Sequence, residues 1–167
     1  MKNINFYFPY LWIISSIFCI DFFSKQWIKY YFNLKEKVWF YPEINILYTS
    51  HYGSFFSYLV AKNKFLYWFW IIIILFIIIL LLIIIARNSN NLDYFWNNIA
   101  LALIVGGGLS NLSDRIIYGS VIDFIHCFIM KWNFLTFNIA DISICIGGFL
   151  MILLEIKFNL YLLTRRS

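Results

Sequence analysis

Apolar runs long enough to cross a lipid bilayer recur along the chain, with short polar stretches between them. A hydrocarbon core of about 30 Å requires roughly 20 residues in a helix. Residues 65–86 form an uncharged run of this length, and 9–30, 94–113 and 139–161 are similar in length but contain polar residues. The pattern therefore predicts four transmembrane helices, with both chain ends on the same side of the membrane.

The third of these runs is unlike a helix that faces only lipid. It contains three consecutive glycines at 106–108 and polar side chains at Asn97, Asn98 and Asn111. Small residues allow helices in membranes to approach closely, because their backbones meet without intervening side chains. We therefore expect this helix to contact its neighbours.

Two extramembrane stretches connect the predicted helices. Residues 33–63 mix β-branched and aromatic residues around Pro42, which is typical of short strands and turns. Residues 118–137 are apolar enough to lie in the membrane interface between the third and fourth helices. The predicted fold class is mainly α: a single domain, 1–167, with a four-helix transmembrane bundle, a small surface sheet within 33–63 and an interfacial segment.

The composition supports a membrane protein and excludes other classes. With 63% hydrophobic and 13% charged residues, the chain lies outside the range of soluble domains. The net charge is +5, and the lysines and arginines are scattered between the apolar runs. They do not form the basic stripe that binds along a nucleic acid backbone, so a nucleic acid partner is excluded. Taken alone, the count of basic residues favours termini outside the cell, since more of them flank the two extramembrane stretches than the chain ends. Some of these lysines flank the ends of spans, where they can snorkel or meet anionic headgroups, so charge leaves the orientation open.

Charged groups within membrane-spanning runs are costly and usually functional. Asp21 and Lys25 are four residues apart and share one face of the first helix, where an ion pair offsets part of their desolvation. Such a pair could be a structural clasp or could take a direct part in a site. Arg115, a permanent cation, could hold a carboxylate or a carbonyl group, or it could anchor the third helix at the interface.

Two carboxylates converge on one face of the membrane. Asp123 follows the third run in an apolar setting, and Asp141 lies in the first turn of the fourth helix, which Asn138 can cap. If the carboxylates meet, charge repulsion makes them share a proton, so that one activates a water while the other protonates a substrate carbonyl. The residues alone also allow structural roles, with Asp141 opposing the helix dipole and Asp123 in an interfacial loop.

The order and spacing of these polar residues resemble the lipoprotein signal peptidase (signal peptidase II) family over nearly the whole chain. The third helix ends in the family's Asn-x-x-Asp-Arg pattern at 111–115, and the fourth begins with its Asn-x-Ala-Asp pattern at 138–141. The resemblance implies that Asp123 and Asp141 are the catalytic pair. It gives supporting or substrate-binding roles to Asp21, Lys25, His51, Gly53, Gly107, Asn111, Arg115, Asn138 and Ala140.

The resemblance also implies an activity and a location. Members of the family are aspartic endopeptidases that cut diacylglyceryl-modified prolipoproteins just before the lipidated cysteine, without a metal or organic cofactor, and they are targets of globomycin-type inhibitors. The expected location is the bacterial cytoplasmic (inner) membrane, as a multi-pass monomer among membrane lipids. Both termini would be cytoplasmic. The sheet, a β-cradle, and the active site would be extracytoplasmic, which reverses the orientation favoured by charge alone.

The chain departs from the family pattern after the sheet segment. His51 stands where the family usually has asparagine, two residues before Gly53. A histidine can still donate one hydrogen bond and accept another, but its charge can change near neutral pH. Ser110 also replaces a usual glycine. His126 lies three residues after Asp123, and without a supporting motif we interpret it as an interfacial residue rather than a general base.

Three other functions remain open from the sequence. Charged residues within spans also mark ion paths, but a channel would have polar residues through the depth of its helices, and 65–86 has none. Presenilin-like and prepilin-type peptidases carry a Gly-x-Gly-Asp motif that is missing from this chain. A catalytically inactive relative is favoured only by His51.

Overall fold

A computed structural model of the chain describes residues 7–39, 44–51, 64–129 and 132–165. Four helices in these ranges are each long and apolar enough to cross a membrane, which confirms the four predicted spans. They are α1 (Phe8–Tyr31), α2 (Lys64–Asn88), α3 (Phe95–Tyr118) and α4 (Ile139–Thr164), and a 3-10 turn at Leu92–Tyr94 precedes α3.

The two extramembrane stretches combine into one antiparallel sheet. Its strands are β1 (Lys37–Trp39), β2 (Ile44–His51), β3 (Val121–Ile129) and β4 (Trp132–Phe137), in the order β1-β2-β3-β4. The first two come from the segment predicted as a sheet, whereas β3 and β4 come from the segment predicted only to lie in the interface. The pairing of β2 with β3 places Thr49 opposite Asp123, so the sheet positions one candidate carboxylate.

The third helix, α3, lies at the centre of the bundle. It contacts α1, α2 and α4, and it buries more residues than any other described helix. In contrast, α2 buries only Ile71, Ile78 and Ile85, a single stripe at seven-residue spacing. Because lipid is as apolar as these side chains, the burial of apolar surface does little to bring helices together in a membrane. The polar and small residues of α3 therefore determine how the helices pack.

Close contact between α3 and α4 depends on glycines. A Cβ atom at Gly107 would overlap the carbonyl oxygen of Ala140 and the side chain of Ser143. A Cβ atom at Gly147 would lie 2.6 Å from the carbonyl oxygen of Ala100, so larger residues would push the helices apart. The predicted close packing of α3 is confirmed, and it sets the first turn of α4 beside the polar end of α3.

Candidate active site

The ammonium group of Lys25 lies at the centre of a polar cluster at one end of the bundle. Its Nζ contacts a carboxylate oxygen of Asp21 at 2.5 Å, one of Asp114 at 2.8 Å, and Oδ1 of Asn111 at 2.9 Å. An ammonium group has three N–H donors, so these contacts satisfy all of them. The predicted pairing of Asp21 with Lys25 is confirmed. We call the three fully buried charged residues Asp21, Lys25 and Asp114 the ion cluster.

Asp21 connects three helices. From α1, its Oδ2 accepts a hydrogen bond from the Ser110 hydroxyl on α3 at 2.7 Å. Its Oδ1 accepts one from the backbone N–H of Ala140 on α4 at 2.9 Å. The carboxylate therefore fixes the first turn of α4, which favours the interpretation of Asp21 and Lys25 as a clasp.

Asn111 links the ion cluster to Asp141. Because a cation attracts the oxygen of an amide, Lys25 orients this side chain with Oδ1 toward the cluster. The Nδ2 group then faces Asp141 and donates to its Oδ1 at 2.7 Å. A charge on α1 thus sets the position of a candidate catalytic carboxylate on α4.

Asn138 caps α4 and contacts both candidate carboxylates. Its Oδ1 accepts from the backbone N–H of Asp141 at 2.9 Å, and the Asp141 carboxylate accepts from the backbone N–H of Asn138 at 3.3 Å. This reciprocal capping box confirms the predicted cap. The Nδ2 group of Asn138 donates to Oδ1 of Asp123 at 2.7 Å, so the helix cap also holds the second carboxylate.

Asp123 and Asp141, which we call the aspartate pair, both hydrogen-bond to Asn138 and so lie close together. Asp123 is fully buried on β3, whereas Asp141 is partly exposed in the first turn of α4. Two neighbouring carboxylates in a buried site repel each other, which favours a shared proton. Such a pair can take a proton from a water molecule and give one to a carbonyl oxygen. The structure brings together the two residues that the sequence indicated as catalytic.

Arg115 lies beside the aspartate pair at the end of α3. Its guanidinium group donates to the carbonyl oxygen of Asn111 at 3.0 Å. Its positive charge also interacts with the carboxylates of Asp141, Asp114 and Asp123. The sequence allowed Arg115 to hold either a carboxylate or a carbonyl group, and the observed hydrogen-bond partner is a carbonyl group. The positive charge of Arg115 also makes the electrostatic potential around the aspartate pair more positive.

Asp114 is a part of the site that the sequence analysis did not select. Its Oδ2 contacts Lys25 and also accepts from the backbone N–H of Ile122 at 3.3 Å, so it ties the start of β3 to α3. Ile122 directly precedes Asp123, which makes this contact part of the support for the pair. A signal was present, because Asn111 and Asp114 are three residues apart and share a helix face.

The other predicted supporting residues differ in what the structure says of them. Gly107 and Ala140 take part through the close contact of α3 with α4. His51 is described only by its backbone, which ends β2 opposite Val121, and its side chain lies outside the described part of the structure. Gly53 lies outside the described residues altogether.

His126 is buried in the sheet, with only 5% of its surface exposed, and its position at the level of the membrane interface stays a prediction. Burial, together with the positive charge of Lys37, lowers the pKa of His126 below its ordinary value of 6.5. Successive side chains of a strand point to opposite faces, so the side chains of His126 and Asp123, three residues apart, face away from each other. The geometry therefore gives His126 no role as a general base for the pair.

Four membrane-spanning helices with two adjacent carboxylates at one end define a membrane-embedded protein equipped for acid–base hydrolysis. The model of the family described as Signal peptidase (SPase) II matches residues 13–157. The chain therefore belongs to the signal peptidase II family, as the resemblance of its motifs indicated.

Individual relatives agree with this membership. The lipoprotein signal peptidase of Photorhabdus laumondii subsp. laumondii is 40% identical over 144 residues, which cover 86% of this chain and 85% of the relative. The lipoprotein signal peptidase of Yersinia enterocolitica is 41% identical over 143 residues, which cover 86% of this chain and 83% of the relative. These matches support a bacterial membrane protease and decide against the channel and presenilin-like alternatives.

Two solved structures of bacterial membrane enzymes, determined by the in meso method at 1.9 Å and 2.3 Å resolution, share the fold. Both are 28% identical to this chain, with TM-scores of 0.75 and 0.78 respectively. The first match covers 87% of this chain and 90% of the other, and the second covers 90% and 89%. The combination of a four-helix bundle with a small sheet is thus known from experiment.

Proposed function

We propose that the chain is an aspartic endopeptidase that removes the signal peptides of diacylglyceryl-modified prolipoproteins by cutting just before the lipidated cysteine. Membership of the signal peptidase II family supports the substrate class. The observation that carries the assignment of catalytic residues is the position of Asp123 and Asp141, which both hydrogen-bond to Asn138.

In this mechanism the aspartate pair shares one proton in the resting enzyme. The ionised carboxylate takes a proton from a water molecule as the water attacks the scissile carbonyl carbon, and the protonated carboxyl donates to the carbonyl oxygen. When the tetrahedral intermediate collapses, a proton passes to the departing amine. Asn111 and Asn138 hold the carboxylates in place, so the pair needs no rearrangement before the reaction.

The proposed orientation puts the site on the extracytoplasmic side of the bacterial cytoplasmic membrane, with both termini in the cytoplasm. The ion cluster, the aspartate pair and the sheet all lie at the same end of the bundle, so one side of the membrane carries the whole site. A translocated signal peptide would meet the pair from that side. The proposed enzyme acts as a monomer, and globomycin-type compounds are the expected inhibitors.

The test uses bacterial cells that lack any other signal peptidase of this type. Expression of the wild-type chain should restore lipoprotein maturation, whereas Asp123→Asn or Asp141→Asn should insert into the membrane but leave lipidated, uncleaved prolipoprotein. Asp93→Asn is a matched control, because Asp93 is exposed in the turn before α3, and it should process prolipoprotein normally. Normal processing by either variant of the pair would overturn the assignment.

A further inference from the structure

Tyr67, in the first turn of α2, contacts the end of α3. Its hydroxyl group donates a hydrogen bond to the backbone carbonyl oxygen of Arg115. The backbone N–H of Gly119 donates to the same oxygen at 2.9 Å. A carbonyl oxygen has two lone pairs, so it can accept both bonds. A side chain from α2 therefore holds the backbone of the residue whose guanidinium group lies beside the aspartate pair.

Tyr67 continues the stripe through which α2 packs against the bundle. Positions 67, 71, 74, 78, 81 and 85 are spaced alternately by four and three residues, and all of them are buried or partly buried. Among the described α2 residues that form or contact the buried core, Tyr67 is the only one with a polar side-chain atom. Aliphatic contacts alone fix the position of α2 along α3 weakly, because lipid is as apolar as these side chains. The hydroxyl of Tyr67 supplies a directional contact that they lack.

The turn that follows Arg115 leads directly to the aspartate pair. Gly119 ends α3 with a φ of 75°, in the left-handed region that favours glycine, and β3 begins two residues later at Val121. Asp123 is the third residue of that strand. The positive charge of Arg115 acts on both carboxylates of the pair. A shift of the last turn of α3 would therefore move a cation that acts on the reacting groups.

A second tyrosine holds the same turn in a different way. The hydroxyl of Tyr118, the last residue of α3, accepts a hydrogen bond from Nε2 of Gln26 on α1 at 2.8 Å. This bond joins two side chains, whereas the hydroxyl of Tyr67 binds the helix backbone at Arg115. Tyr118 therefore provides a matched comparison in which the same atom is removed from the same turn.

We propose that Tyr67 is a positioning residue for the proposed peptidase reaction, an inference that rests on the proposed function. Its hydroxyl fixes the last turn of α3 and so holds the guanidinium group of Arg115 beside the aspartate pair. A cation in that place favours the ionised form of one carboxylate, which is the form that takes a proton from water. Tyr67 acts through Arg115 and does not itself contact the reacting atoms.

The first test compares Tyr67→Phe with Tyr118→Phe, each of which removes one phenolic oxygen. Both should lower the melting temperature in detergent by about 2–4 °C, the effect of one hydrogen bond in a chain of this size. On a lipidated prolipoprotein, Tyr67→Phe should lower kcat about tenfold with KM within about twofold of wild type, because misplacement by about 1 Å can cost about 100-fold. Tyr118→Phe should keep the wild-type kcat and KM.

Two further readouts separate positioning of Arg115 from a general effect on the fold. If Tyr67 acts through Arg115, adding Tyr67→Phe to Arg115→Gln should lower kcat no further than Arg115→Gln alone. In Tyr67→Phe with Arg115 present, the acidic limb of the kcat/KM profile should move to higher pH. The reason is that a displaced cation favours the ionised pair less, so ionisation requires a higher pH. The profile of Tyr118→Phe should coincide with that of the wild type.

The outcomes separate this proposal from the proposed function. A wild-type kcat in Tyr67→Phe, equal losses of kcat in Tyr67→Phe and Tyr118→Phe, an unmoved acidic limb, or losses that multiply with Arg115→Gln would each overturn the positioning role while wild-type cleavage continues. Failure of Tyr67→Phe to fold would show a structural role instead and would also overturn it. Failure of the wild-type enzyme to cut the lipidated prolipoprotein would overturn the proposed function, and the role of Tyr67 with it.

Discussion

Two neighbouring sets of carboxylates at one end of the bundle are held in different ways. In the ion cluster, Asp21 and Asp114 both contact the ammonium of Lys25. In the aspartate pair, Asp123 and Asp141 accept hydrogen bonds from the neutral side-chain amides of two asparagines. The first set contacts a full opposite charge directly, whereas the second is held by hydrogen bonds from amides, with the positive charge of Arg115 nearby.

The difference explains how a single site can contain four carboxylates, three of them fully buried, with two kinds of role. A carboxylate beside a buried cation is stabilised in its charged form and is suited to holding helices together. Two carboxylates positioned by amides can exchange and share a proton without breaking an ion pair. The comparison predicts that variants of the ion cluster act mainly on stability and that variants around the pair act mainly on rate.

The largest stability effect is expected for Lys25→Met, which leaves two buried carboxylates without their cation. The free energy of unfolding in detergent should fall by about 3–5 kcal/mol. Lys29→Met is the control, because Lys29 is an exposed lysine one turn further along α1 that stacks on the ring of Tyr118, and it should lose less than about 1 kcal/mol. Equal losses in the two variants would show that the cluster is not a buried clasp.

A smaller effect, on the catalytic rate rather than on stability, is expected for Asn111→Leu. The variant removes the amide that holds Asp141, and misplacement of a catalytic group by about 1 Å can lower a rate about 100-fold. We expect kcat to fall about 100-fold in a purified enzyme that still folds, whereas Asn98→Leu on the same helix should keep the wild-type kcat. A wild-type kcat in Asn111→Leu would mean that the amide does not position the pair.

Ser110→Ala should have a still smaller effect, and on stability alone. It removes the hydroxyl that donates to Asp21, while Lys25 and the backbone of Ala140 keep their contacts with that carboxylate. The expected loss is about 1.5 kcal/mol of unfolding free energy. Ser113→Ala removes only a bond within α3 and should cost less than about 0.5 kcal/mol, so a similar loss in both would contradict the role of Ser110.

The smallest expected effect is on how stability changes with pH, and it comes from His126 in the sheet rather than from either set of carboxylates. Because burial lowers the pKa of His126, the unfolded chain binds more protons than the folded chain at pH values below about 6.5. The free energy of unfolding should therefore fall as the pH is lowered from 7.5 to 5.5, and His126→Gln should show a shallower fall. If the free energies of unfolding of the wild type and of His126→Gln changed identically with pH, titration of His126 would be ruled out as the source of the pH dependence.

Most of the fold could be predicted from the sequence, because length and apolar content identify a membrane span locally. The predicted spans 65–86 and 139–161 lie within α2 and α4. The strands β3 and β4 were not predicted, since β3 pairs with a strand 74 residues earlier in the chain, and no local pattern shows such a partner.

The candidate site was predictable to a similar degree. The aspartate pair and Asn138 stand in motifs with fixed spacing, and the cap follows from the residue types at the start of α4. The role of Asp114 was not predicted, because it depends on the contact between Asp114 and Lys25. That contact forms only when α1 and α3 pack in the right register along their length, which the sequence does not show. The hydrogen bond from Tyr67 to the carbonyl group of Arg115 is likewise a property of packing, which residue type alone does not reveal.

The most direct test of the account is the cleavage rate of a purified, lipidated prolipoprotein by Asp123→Asn, Asp141→Asn and the double variant. If the two carboxylates act as one acid–base unit, each single variant should lose about 10³-fold or more in kcat, and the double variant should lose little beyond either one. A single variant that retains the wild-type rate, or losses in the double variant that multiply, would contradict a shared catalytic pair.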